Sequence, residues 1–233
     1  MPYLDMSQDD HRTIVSDGPG PQLARRYGPV EVRGQIEDLV FFTHHELLIA
    51  EHLDRVSPSY LEFHQYLVLR SLRRGLTTRF LLSMGSLEDA LTLAFLRRIR
   101  AQGAQIRLVP ELDRTLLICD GRAALTATDP RDPDSGAILT EEPGLVSGMS
   151  ALFRLAWERA AEFDAVIERR DALPPEDLDL LALLLRPGKD ASRARQAGVS
   201  LRTFHRRVAD LYQRLGAGNR TEAALIARDH GLS

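Results

Sequence analysis

The sequence predicts a chain in two parts, an α/β region with a mostly parallel sheet and covering helices, then an all-α segment of four helices. Three observations predict it. Between residues 46 and 109, apolar runs of strand length (ELLIA, TTRFLLS, QIRLV) alternate with segments of helical period. An Asp-Gly pair at 120–121 separates two further apolar runs, the signal of a hairpin. Residues 200–215 read SLRTFHRRVADLYQRL, with Phe204, Val208, Leu211 and Leu215 on one narrow helical stripe and a basic, donor-rich surface opposite.

The elements follow in order. Residues 1–28 are polar and broken by Gly-Pro pairs, and a flexible extension is expected there. The α/β region is expected over 29–163. Val32, Ile36, Leu39 and Val40 carry helical spacing, and ELLIA reads as the first strand. A helix over 59–74 closes at Gly75, a strand spans 77–83, a helix over 87–102 stops at Gly103, and a strand spans 105–109. Strand, helix, strand, helix, strand implies parallel pairing. The hairpin strands lie at 115–119 and 122–126, 137–140 adds one more, and a long helix over 144–163 places Trp157 near its inner edge. Residues 164–172 are charged and lead to Pro174-Pro175, so a linker is expected before the second part at 173–233.

Composition narrows the function. A chain of 233 residues with 44% hydrophobic residues can build a core in each of two domains. No window of membrane-spanning length is free of charge and the N-terminus has no export-signal order, so a soluble, cytoplasmic protein without a membrane partner is expected. The lone Cys119, within LLIC, permits no internal disulfide and reads as a core residue. His44, His45, Glu46 and His52 have no second ligand cluster, so no metal is expected. No glycine-rich phosphate loop follows a strand, so no cofactor is expected either.

The basic helix is the informative element. At 100° per residue, Arg202, His205, Arg206, Ala209 and Gln213 face away from the apolar stripe, while Thr203, Arg207 and Arg214 flank it. Ser200 is a good N-cap and Gly198 suits a tight turn before it. Leu178, Leu181, Leu184 and Leu185 mark an earlier helix, a short one covers 191–197, and a last one begins at 221. This is the order of a helix-turn-helix. From 186 to 214 there are eight basic residues against two acidic ones, on a chain of net charge -3. Such a local excess is what phosphate neutralisation requires. Arg or His can donate to guanine acceptors, and an Ala methyl can touch a thymine methyl.

On the segments LPPEDLDLLALLL, AGVSLRTFHRRVADLYQRLGA and NRTEAALIA, residues 173–233 resemble the LuxR-type (GerE-like) four-helix DNA-binding domain. The resemblance implies double-stranded promoter DNA as partner. It puts His205, Arg206 and Ala209 at base-facing positions and, together with the helix geometry, Arg202, Thr203, Arg207 and Arg214 at phosphates; because isolated modules of this size bind DNA weakly, a homodimer that spans two half-sites is expected. Three positions depart from the pattern: Arg193 where an aliphatic residue is usual, Ala197 where Leu is common, and Arg207 where His is frequent. Arg193 is expected to bend its charge out to water.

The order of elements in the first part resembles the phospholipase-D-like fold joined to LuxR-type domains in some actinobacterial regulators, a TrmB-like sensor arrangement. The run ELDRTLLICDGRAALTATD is similar to the hairpin region that carries His-x-Lys-x4-Asp in active members. Aligned on Asp120, Asp113 stands for the His and Thr115 for the Lys, and no His-x-Lys occurs in the chain. A non-catalytic sensor or assembly domain is therefore expected, answering to an unidentified small-molecule or protein effector, with Asp120 as a turn residue. A phosphorelay receiver is disfavoured because Lys189 is the only lysine.

Overall fold

The computed structural model describes residues 23–53, 56–112, 114–129, 132, 135–230 and 232. Its centre is an eight-stranded sheet in the order β1-β7-β6-β5-β2-β3-β4-β8: β1 Leu23–Tyr27, β2 Glu46–Glu51, β3 Thr77–Ser83, β4 Gln105–Val109, β5 Leu116–Cys119, β6 Ala123–Ala127, β7 Gly136–Thr140 and β8 Ala161–Glu162. Parallel pairing is confined to β2 with β3 and β3 with β4, where helical crossovers return the chain to the same end. The other neighbours are antiparallel, so the expected mostly parallel sheet is corrected to a mixed one. The hairpin decides this. Asp120 and Gly121 both take positive φ, β5 folds back on β6, and β5 lies antiparallel against β2 in the register Leu47↔Cys119 to Ala50↔Leu116.

Alternation along the strands splits the core into two layers. Leu47, Ile49, Phe80, Leu82, Leu117 and Leu125 belong to a cluster with the helices α1 Gly28–Phe42, α2 Pro58–Arg73 and α3 Ala90–Ala101. Leu48, Ala50, Leu81, Ile118 and Ala124 belong to another cluster with Val146 and Phe153 of α4 Pro143–Arg159. Trp157 on α4 stacks with Phe153 at 5.8 Å and lies under the guanidinium groups of Arg79 and Arg107. Cys119 is buried, as its apolar neighbours imply.

Two boundary expectations change. Of the extension assigned to 1–28, Leu23–Tyr27 is an edge strand on β7, and 1–22 lie outside the described residues. The segment expected as a linker, 164–172, is mostly helix: the long helix ends at Arg159, β8 follows, and α5 covers Phe163–Asp171. Phe163 and Val166, three residues apart, are buried in the sheet core, while Arg97 pairs with Asp171 and Arg100 with Asp164. The charges that suggested a linker are the outer face of a packed helix.

Four helices follow, α6 Pro175–Leu185, α7 Asp190–Gln196, α8 Leu201–Leu215 and α9 Arg220–His230. They enclose a separate cluster formed by Leu180, Leu181, Leu184, Ala194, Phe204, Leu211, Ala227 and Leu232. Full burial of Phe204 and Leu211 contributes about 1.5–3 kcal/mol each. These two side chains set which face of α8 remains outside.

Candidate nucleic-acid interface

Helix α8 begins and ends sharply. Ser200 Oγ accepts from the Thr203 backbone N–H at 3.2 Å, and Gly216 closes the helix in the left-handed conformation at φ 69°. Ahead of it, Gly198 takes φ 66° at the turn from α7, where a side chain would be strained. With Phe204 and Leu211 inward, Arg202, His205, Arg206, Arg207 and Ala209 are exposed. No hydrogen bond or ion pair within the described residues engages the guanidinium groups of Arg202, Arg206 and Arg207. Three fixed-charge donors without an ion pair among the described residues are thus presented along one helix.

The other sequence-selected residues are placed differently. Thr203 is half-buried, and its hydroxyl lies 2.9 Å from Ser200 Oγ, inside the cap. His205 Nε2 is 3.4 Å from Asp190 Oδ2, a pairing that holds charge only when the imidazole is protonated. Arg214, expected at a phosphate, instead grips Asp177 through Nε at 2.6 Å and Nη2 at 2.7 Å. Asp177 is buried at the first turn of α6, so this bridge joins the start of α6 to the end of α8. Removing Arg214 would strand a buried carboxylate.

Arg193 reverses the expectation that its charge reaches water. Its side chain is 4% exposed and is held by three acceptors: Leu183 O at 3.0 Å, Arg186 O at 2.6 Å and Asp190 Oδ1 at 2.7 Å. The α-helical end of α6 leaves carbonyls without intrahelical donors, and a guanidinium fork from α7 satisfies two of them. Arg220 Nη2 also donates to Arg186 O at 2.8 Å. Arg193 therefore clamps the corner between α6 and α7. Its i+3 spacing from Asp190 was the visible signal.

On the sheet, Asp120 does more than turn the hairpin. Its carboxylate accepts from the backbone N–H groups of His44, His45 and Glu46, each at 2.8 Å, tying the turn to the start of β2. Burial pushes this carboxyl up, but the three N–H donors and nearby His45 outweigh it and hold it below the usual range. Thr115 donates no charge, and its carbonyl accepts from Thr126 Oγ1 at 2.7 Å. Asp113 lies outside the described residues. Among those residues no group of three metal-ligating side chains occurs, and no helix is long and apolar enough to cross a membrane. Sequence reasoning passed over a buried polar group, Glu51, Tyr60 and His64, because a charge closing an apolar strand carries no motif.

No family model matches the chain. A bialaphos biosynthetic pathway regulatory protein of Streptomyces hygroscopicus is 26% identical over 158 residues, 67% of this chain. The chain spans 61% of the length of that relative. Among solved structures, the phospholipase D family member Nuc from Salmonella typhimurium superimposes with a TM-score of 0.54 at 12% identity, covering 62% of this chain and 99% of Nuc. NucT from Helicobacter pylori gives 0.50 at 11% identity, covering 62% of this chain and 100% of NucT. The chain therefore has a mixed α/β fold of phospholipase-D type, and a regulatory protein is among its relatives.

Proposed function

We propose that this protein is a transcription regulator that binds promoter DNA through α8, the recognition helix of a LuxR-type helix-turn-helix over residues 173–233. The observation that carries the reading is the exposure of Arg202, Arg206 and Arg207 on α8, the first two opposite the buried Phe204 and Leu211 and Arg207 on the flank, with no ion pair to any of the three among the described residues. In the major groove, Arg206, His205 and Ala209 face base edges, and Arg202, Arg207 and the half-buried Thr203 lie along the phosphates. Arg214 belongs to the frame because of its bridge to Asp177. The regulatory role named for the Streptomyces relative supports the same reading.

The α/β region over 29–163 acts in this proposal as a sensor or assembly unit rather than an enzyme, in a cytoplasmic homodimer. With Thr115 at the Lys position and no His-x-Lys in the chain, it lacks the nucleophile and cation that the phospholipase-D motif supplies. A dimer spanning two half-sites converts two weak contacts into one selective one.

The test maps bound genomic fragments, then titrates the recovered fragment by fluorescence anisotropy. Arg206→Ala is expected to lose about 1–3 kcal/mol of discrimination between that fragment and a scrambled one, with an unchanged circular dichroism spectrum. Equal affinity and selectivity in the variant would overturn the assignment.

A further inference from the structure

Beneath α1 and α2, against the sheet, lies a cavity of about 50 Å³ whose apolar wall includes Val32, Ile36, Leu67, Leu125 and Ala127. Its polar lining is different in kind. Glu51, the last residue of β2, is 1% exposed, and Tyr60 and His64, one turn apart on α2, are 8% and 9% exposed. The Tyr60 hydroxyl donates to Glu51 Oε1, and the Tyr60 and His64 rings stack at 4.2 Å. Thr115 also borders the space.

Two atoms of this group lack hydrogen-bond partners among the described residues, Glu51 Oε2 and His64 Nε2. His64 Nδ1 lies 3.4 Å from Glu51 Oε2, close enough for attraction but without a hydrogen bond. In the neutral tautomer that turns its N–H toward the carboxylate, Nδ1 carries the proton and Nε2 presents its lone pair. Both unpartnered atoms are then acceptors. A buried carboxylate with one oxygen unsatisfied is costly to hold in an apolar site, so a matching ligand brings N–H donors and positive charge.

Size narrows the class. A cavity of about 150 Å³ holds benzene, and this one is about a third of that. We propose that the cavity is a binding site for a short-chain alkylamine, with the ammonium group against Glu51 Oε2 and His64 Nε2 and the alkyl group against Val32, Ile36 and Leu125. Its role as the effector site rests on the regulator reading; the site itself does not.

The experiment is isothermal titration of the full chain, without DNA, with isobutylamine and with isobutyric acid, which has the same branching but an anionic head. Isobutylamine is expected to bind saturably at one site per chain and isobutyric acid at least about tenfold more weakly. Glu51→Gln should weaken the amine by about tenfold or more, and Ala127→Leu should abolish binding by filling the cavity while Glu51 stays in place. Circular dichroism of both variants checks that they are folded. Absence of saturable amine binding, comparable affinity for the acid, or undiminished binding in folded Ala127→Leu would each overturn the proposal. A DNA titration with and without isobutylamine then separates the site from its role, because loss of DNA binding leaves the calorimetric result standing.

Discussion

Replacing Arg193 with methionine tests whether the buried guanidinium holds the corner between α6 and α7. Methionine keeps an unbranched apolar stem in the same space, so little packing is lost. Three charge-assisted hydrogen bonds disappear, to Leu183 O, Arg186 O and Asp190. Their consequences differ. Arg186 O keeps Arg220, and Asp190, with a 48% exposed side chain, rehydrates, whereas Leu183 O loses the Arg193 donor. Relief from burying a cation offsets part of the loss. The expected destabilisation is about 2–4 kcal/mol. Urea unfolding followed by far-ultraviolet circular dichroism measures it, and Arg193→Lys should recover only part because one ammonium cannot reproduce the fork. A loss below about 0.5 kcal/mol, the range of ordinary surface substitutions, would refute the clamp.

Further outcomes follow from the same geometry. Asp120→Asn keeps a residue tolerant of the observed positive φ but removes the charge that gathers three N–H donors, at a cost of about 1–2 kcal/mol near neutral pH. Because the folded carboxyl is held below its unfolded value of about 3.9, its contribution is present above that pH and disappears as pH falls through the folded value. Melting curves of wild type and variant should converge there, and a constant gap would exclude the carboxylate as the cause. Arg214→Ala should destabilise by about 3 kcal/mol through stranded Asp177, whereas exposed Arg202→Ala should change stability by less than about 0.5 kcal/mol and lower the salt dependence of DNA binding; interchange of these phenotypes would refute their separation. Burial pushes the Cys119 thiol up to about 11, so maleimide labelling at pH 8 should require unfolding, and labelling at the rate of a free thiol would contradict its placement.

Local patterning was enough to locate most elements. The strands at 77–83 and 105–109, the hairpin at Asp120, the cap at Ser200 and the buried stripe of α8 all depend on neighbours within a few residues. Period, turn chemistry and capping are short-range effects, so one chain carries them openly. Pairing direction did not follow, because β5 could join the sheet at any free edge; its antiparallel place beside β2 depends on residues more than 60 positions apart. Arg193 and Arg214 mark the same limit for the site. Their charge suggested solvent or phosphate, and only the packed arrangement supplied α6 carbonyls to one and buried Asp177 to the other. Residue identity determined which groups can donate or carry charge. Tertiary packing decided which donors are spent inside and which remain outside, because a hydrogen bond or ion pair depends on distance in space rather than along the chain.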